Sequence, residues 1–225
     1  MIITIDGPAG SGKSSAARGL ARRLGFDVLD TGAMYRTVAL AVLRGKIAES
    51  DHAAIGALLG RMQIEMPPGQ MIVDGEDVTA AIRTLEVAQA ASRLAAVPIV
   101  RRFLAAQQRA IAQGRDIVCE GRDQGTVVFP DAECKFFFQA DRLERARRRL
   151  AESKERGDAS STLDSLLAEQ DRRDLRDASR DNAPMAPAAD AIRIDTTDLT
   201  PEQVIDRLEM EVRRCPSFSS ASSTP

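Results

Sequence analysis

Among its 225 residues the chain has no tryptophan, one tyrosine (Tyr35), one histidine (His52) and one asparagine (Asn182). A lone histidine with no partner motif leaves little room for imidazole acid–base chemistry, and His52 is expected at the surface. Cysteine is also scarce. Cys119, Cys134 and Cys215 lack the paired spacing of a zinc site, and nothing marks the chain as secreted, so they are expected to be plain buried or surface thiols. No run approaches the ~18 apolar residues of a membrane span. The first residues read as a strand and not as a signal peptide, which predicts a soluble cytoplasmic protein. A net charge of −2 gives no global field favouring nucleic acid or an anionic membrane. Lysine is rare too: Lys13, Lys46, Lys135 and Lys154 stand among 31 basic residues, the rest arginine. Codon bias accounts for most of that excess, so the position of each arginine, and not their number, must carry any functional claim.

What is present begins at residue 7. Gly7-Pro8-Ala9-Gly10-Ser11-Gly12-Lys13-Ser14 is Gly-x-x-x-x-Gly-Lys-Ser, preceded by the apolar run Ile2-Ile3-Thr4-Ile5 and followed by an Ala/Arg/Leu-rich stretch of helical spacing. Strand, glycine loop and helix form the context that makes a phosphate-binding loop credible. Glycines let the backbone wrap a phosphate chain with its N–H groups turned inward. The helix start adds unpaired N–H groups and the positive end of its dipole. Lys13 supplies charge for the β- and γ-phosphates, and the Ser14 hydroxyl suits Mg²⁺. Residues Gly7 through Ser15 are the candidate ATP-binding segment.

The spacing predicts a strand over 2–6, a helix over 13–25 stopped by Gly25, a strand over 26–30 and a helix from Thr31, its N-cap, to about Leu43. This alternation points to an α/β fold, a parallel sheet flanked by helices with ligands at the carboxyl ends of the strands. The rhythm breaks after Gly45. Residues 63–66 and 71–73 are strand-like and joined by Pro67-Pro68-Gly69, and Asp74-Gly75-Glu76-Asp77 reads as a further turn. Residues 46–95 are therefore expected to be an insertion with its own hairpin. A helix is expected over 98–113 with Pro98 in its first turn, and strands over 116–120, 135–139 and 192–195. The charged run 141–180 starts as a helix, and the Ser/Pro-rich tail 215–225 reads as disordered.

A phosphate-binding loop is shared by GTPases, motors and small-molecule kinases. Asn-Lys-x-Asp is absent, since Asn182 is followed by Ala183, and no Asp-x-x-Gly occurs, which argues against a GTPase. A motor ATPase would need more chain. A compact kinase remains, and three further segments sharpen it. Asp30-Thr31-Gly32-Ala33-Met34-Tyr35-Arg36, Gly121-Arg122-Asp123-Gln124-Gly125-Thr126-Val127-Val128-Phe129-Pro130 and Arg172-Arg173-Asp174-Leu175-Arg176-Asp177-Ala178-Ser179-Arg180, followed by Ala183-Pro184, resemble the signature and lid segments of bacterial cytidylate kinases. The similarity runs to about Arg214. It departs at Gln124, where the family usually has methionine, at Glu120, where aspartate is common, and at Ala178, where a charged residue is usual.

The resemblance implies a nucleoside monophosphate kinase fold: a core (1–45, 96–149, 183–214), a monophosphate-binding insertion (46–95) and a mobile helical lid (150–182). It implies transfer of the γ-phosphoryl group of ATP to CMP or dCMP, with Mg²⁺ held by Ser14 and bound waters, one of them oriented by Glu120. The acceptor phosphate is already a nucleophile at neutral pH, so the chemistry needs charge neutralisation and alignment more than a base. Lys13, Arg36, Arg122 and Arg180 are the implied catalytic cations. Thr31, Tyr35, Arg36, Ser92, Arg101, Arg122, Asp123, Arg173, Asp177 and Arg180 are the implied CMP contacts. Asp123 would accept from cytosine N4, and Arg101 would donate to N3 or O2 with Ser92 assisting. Arg173 and Asp177 would reach the ribose. Arg145, Arg148 and Arg149, with Arg176, would face ATP when the lid shuts. At ~3.6 residues per turn Arg145 and Arg149 share a helix face while Arg147 turns away, and that pair is favoured. ATP and CMP are the expected partners of a monomer, with no nucleic acid and no membrane. Two alternatives stay open: another small P-loop kinase using UMP, AMP or a non-nucleotide acceptor, and a nucleotide-dependent switch.

Overall fold

The computed structural model describes residues 1–67, 69–155, 161–180, 183–215 and 218. The chain folds as two compact units, Met1–Leu29 with Ala112–Pro225, and Asp30–Ile111.

The first unit is built on five strands, β1 (Ile2–Asp6), β2 (Asp27–Asp30), β6 (Ile117–Gly121), β7 (Cys134–Gln139) and β8 (Ile192–Asp195). They form one sheet in the order β2-β6-β1-β7-β8. β1 runs parallel to both neighbours, with Ile2 opposite Ile117, Asp6 opposite Gly121 and Ile3 opposite Cys134. β8 runs parallel to β7. All of β6, and β1 from Ile3, is buried, which is why these strands read as unbroken apolar runs and not as alternations. Helix α1 (Lys13–Leu24) and helix α8 (Pro201–Arg214) supply Ala16, Ala17, Leu20, Val204, Leu208 and Val212 to a core with Ile3, Ile5, Phe136, Phe138 and Ile194. α1 ends on Gly25 in the left-handed region, as the sequence predicts. The charged run forms two helices, α6 (Arg142–Glu155) and α7 (Leu163–Ala178). Among the described residues no helix is long and apolar enough to cross a membrane.

The second unit holds α2 (Thr31–Arg44), α3 (His52–Leu59), α4 (Leu85–Leu94) and α5 (Pro98–Ala112), the last ending at its boundary. It also holds a small antiparallel sheet of β3 (Ile64–Glu65), β4 (Ile72–Val73) and β5 (Glu76–Asp77). The expected hairpin is there, but Glu76-Asp77 is its third strand and not part of the turn, because Asp74 and Gly75, both at positive φ, suffice to reverse the chain. Thr31 is not the cap of α2. Asp30 is, with its carboxylate accepting the Ala33 N–H at 2.7 Å, and Thr31 is the first helical residue. His52 is exposed at the start of α3, as expected.

The cysteines also differ from expectation. Cys119 is a buried free thiol, but Cys134 at the start of β7 and Cys215 after α8 are joined in a disulfide. Residues 81 positions apart meet there because α8 packs back onto the core of the sheet, which no local spacing reports. Of the expected lid, 156–160 and 181–182 lie outside the described residues, and so does the tail beyond Cys215 apart from Phe218, whose ring lies near Phe26.

Candidate active site

The phosphate loop follows the last residue of β1. Gly7, Gly10 and Gly12 have φ of 142, 77 and 86°, values that side chains rarely permit. At Gly7 a Cβ would also collide with the Phe138 carbonyl of β7. Gly12 caps α1 with no side-chain hydrogen bond, so the helix start presents backbone alone. Ser11 Oγ and Lys13 Nζ both donate to the Pro8 carbonyl, at 2.9 and 2.7 Å. Lys13 is buried, and its ammonium is held well below the ordinary lysine range. Burial is the main cause and the positive charges of Arg122 and Arg173 add to it, while Glu120 and Asp6 oppose. Arg122 and Arg173 thus both act on Lys13 electrostatically, each disfavouring its charge.

Ser14 Oγ donates to Glu120 Oε1 at 2.6 Å. A hydroxyl and a carboxylate side by side are oxygen donors of the kind Mg²⁺ takes in company with waters and phosphate, so these residues fit the ion. Among the described residues no group of three or more His, Cys, Asp or Glu is placed to hold a metal by itself.

Helix α7 meets the loop after β6 at Asp177, which is 2% exposed and pairs with Arg122. Its Oδ2 lies 3.1 Å from Arg122 Nε and 4.0 Å from Arg173 Nε, and its Oδ1 pairs with Arg180. Three arginines expected at the CMP site are therefore gathered on one carboxylate, itself an expected CMP contact. Asp123, buried, follows Arg122 directly.

The arginines of α6 separate. Arg145 is buried, donating to the Ala9 carbonyl at 3.0 Å and pairing with Asp174 of α7 at 2.7 Å. Arg149, expected beside it at ATP, pairs with Glu152 on its own helix. Arg148 donates to the carbonyls of Thr196 and Thr197 at 2.6 and 3.1 Å. Thr196 Oγ1 in turn donates to the Ser11 carbonyl at 3.0 Å, so Arg148 supports the phosphate loop through one intermediary.

In the second unit, Arg36 lies one turn into α2. Its Nη2 is 3.4 Å from Asp30 Oδ2, and its Nε is buried without a hydrogen-bond partner. Tyr35, beside it, is half-buried. Ser92 on α4 is buried and its hydroxyl also has no partner. Arg101 on α5 donates to the Ala95 carbonyl at 3.2 Å. An unpaired buried donor is unfavourable unless something completes it. Sequence reasoning did not find Asp6, Asp174 or Thr196, and it named Arg148 for ATP without foreseeing its contacts with Thr196 and Thr197. Only Asp6 carried a signal, a charge ending an apolar strand directly before the loop.

A parallel sheet with a phosphate loop after its central strand, and a cluster of arginines on Asp177 of α7, defines a P-loop kinase. Two solved structures share the fold at a TM-score of 0.50: a gluconokinase from Sinorhizobium meliloti 1021 (15% identity, covering 99% of this chain and 97% of that one) and an uncharacterized protein from Eubacterium ventriosum ATCC 27560 (14%, 96% and 98%). The cytidylate kinase family profile matches residues 3–214, and this chain belongs to that family. It is 46% identical to the cytidylate kinase of Solibacter usitatus (strain Ellin6076), over 95% of this chain and 92% of that one. It is 45% identical to that of Rhodopirellula baltica (strain DSM 10527 / NCIMB 13988 / SH1), over 99% and 97%.

Proposed function

We propose that this chain transfers the γ-phosphoryl group of ATP to CMP or dCMP, yielding ADP and CDP or dCDP. The observation that carries this beyond family membership is the gathering of Arg122, Arg173 and Arg180 on the buried Asp177, with the charges of Arg122 and Arg173 acting on the loop lysine Lys13. The loop amides and Lys13 hold the donor phosphates. Arg122 and Arg180, paired with Asp177 until the ligand arrives, neutralise charge on the transferring group, and Arg36 at its helix start grips the acceptor phosphate. Mg²⁺, at Ser14 and Glu120, would shield the phosphate charges. Asp123 accepts from cytosine N4, and Arg101 and Ser92 complete the base. Thr31 and Tyr35 line the acceptor, and Arg173 and Asp177 face the ribose. Arg145 lies on the ATP side of the lid, and Arg149 would join it only by leaving Glu152. Residues 150–182 are the lid over ATP, and 46–95 belong to the monophosphate-binding part. The enzyme is a cytoplasmic monomer acting on small nucleotides, with neither nucleic acid nor membrane as partner.

An acceptor panel tests the activity. ADP production from ATP and Mg²⁺ should depend on CMP or dCMP and far less on UMP or AMP. Slow ATP turnover that no acceptor accelerates would overturn the assignment in favour of a switch.

A further inference from the structure

Asp6 is the last residue of β1, adjoins Gly7 and is 4% exposed. Its two carboxylate oxygens bond outside the phosphate loop. Oδ1 accepts the Gln124 N–H at 2.9 Å and Oδ2 the Gly125 N–H at 2.8 Å. These amides open a single wide turn, Gln124–Val128, in which the Asp123 carbonyl accepts from Val127 N–H at 2.9 Å and the Gln124 carbonyl from Phe129 N–H at 2.7 Å. Asp123 is thus clamped between the end of β6, which pairs with β1 up to Asp6 and Gly121, and a turn pinned to Asp6. Gly125 makes the clamp possible. A Cβ there would sit 2.9 Å from Thr4 Oγ1 and 3.3 Å from Lys135 Cδ, so a side chain crowds the turn against β1 and β7 beside the amides that Asp6 holds.

We propose that Asp6 is a positioning residue for base selection, setting Asp123 at cytosine through the 124–125 amides without itself touching either nucleotide. This rests on the proposed role of Asp123 as the reader of cytosine N4. The chemistry requires a carboxylate. Two backbone donors need two acceptors, and an asparagine offers one oxygen and an NH₂ that opposes the second N–H. Burial pushes the Asp6 carboxyl up to about 6, with the charge of Asp123 adding to the rise, while the two amides and Lys13 oppose it. The clamp therefore stays charged at neutral pH, in spite of burial.

The test is the ratio of kcat/KM for CMP to that for UMP, at one saturating ATP concentration, in Asp6→Asn, Asp123→Ala and the double variant. Any effect routed through Lys13 weighs on both acceptors alike and cancels in the ratio. Asp123→Ala should narrow the ratio most, Asp6→Asn should narrow it about fivefold or more, and the double variant should match Asp123→Ala, because Asp6 then has nothing left to position. If Asp123→Ala narrows the ratio and Asp6→Asn does not, the positioning role is wrong while the base reader stands. If Asp123→Ala leaves the ratio unchanged, the base is read elsewhere and both assignments fall. A double variant narrower than Asp123→Ala would mean that Asp6 acts by another route, and overturns the proposal. Should Asp6→Asn not fold, Gly125→Ala carries the same test. It should narrow the ratio, and adding Thr4→Ala, which removes the nearest contact, should restore part of it. An unchanged ratio in Gly125→Ala overturns the clamp.

Discussion

The phosphate loop and the cluster around Asp177 both concentrate positive charge, by opposite means. The loop carries one full charge, Lys13, and is otherwise backbone: three glycines at positive φ and the uncapped start of α1. Its dipoles are fixed by the fold and have nowhere else to point. The Asp177 cluster is all side chain, three arginines on one carboxylate of α7. Each guanidinium already has a partner and can exchange it. The loop is preorganised, whereas the cluster is held in reserve by ion pairs that a ligand must replace. A kinase needs both kinds of site, since the donor must be aligned and water must be shut out only once both substrates are present.

Removing the shared carboxylate should have the largest effect. Asp177→Asn leaves Arg122, Arg173 and Arg180 facing one another in a buried position, and losing one partner of a buried pair costs about 3–5 kcal/mol. Denaturant unfolding measures it. A loss under about 1 kcal/mol would mean the cluster behaves as a solvated surface network, and the contrast with the loop would disappear.

On the loop side the effect should be on rate and not on stability. Lys13→Ala removes the one full charge from a shielded site, worth about 3 kcal/mol or a hundredfold in kcat. Its unfolding free energy should hold or rise, because burial already opposes the ammonium. A coupled ADP assay on the folded variant decides, and near-normal turnover would sink the loop assignment.

The third test separates the two regions by pH. The Asp6 carboxyl titrates near 6 in the folded chain against an ordinary 3.8. Between those values the folded state binds more protons than the unfolded state, so unfolding free energy falls as pH rises. The contribution is fully present below about pH 4 and lost above about pH 6, roughly 3 kcal/mol in all. Asp6→Asn should abolish that part of the slope. Chemical denaturation at pH 4 and pH 7 for both proteins gives the difference, and parallel slopes would rule it out.

The smallest effect belongs to the far end of α7. Thr162 and Ser165 form a reciprocal cap there, and Thr162→Ala should cost about 1 kcal/mol of local stability. Hydrogen exchange should quicken over residues 163–166 while α1 stays protected. Equal exchange in variant and parent would show that the cap does not hold the helix.

How much the sequence disclosed depended on how local the cause was. The phosphate loop was fully legible, since its residues are adjacent and act through their own backbone. The sheet strands announced themselves as apolar runs. Asp30 and Thr31 are both good caps, and only the geometry of Ala33 N–H chose between them. Helical spacing put Arg145 and Arg149 on one face, yet Arg145 met Ala9 and Asp174 while Arg149 found Glu152 three residues on. Arg148 went to Thr196, 48 residues away. Long flexible cations choose partners by tertiary proximity, which periodicity does not encode. The Cys134–Cys215 bond and the hold of Asp6 on residues 124 and 125 were hidden for the same reason.

The ion pairs of Arg145 with Asp174 and of Arg122 and Arg180 with Asp177 have a consequence for ionic strength. A bare arginine patch carries a cloud of counterions, and a polyphosphate gains affinity by releasing them, so its binding weakens steeply as salt rises. Here carboxylates of the protein take the place of that cloud. When phosphate displaces a carboxylate, one covalently anchored anion is exchanged for another and few mobile ions are set free. Nucleotide capture at these arginines should therefore weaken less with rising salt than it would at arginines without carboxylate partners.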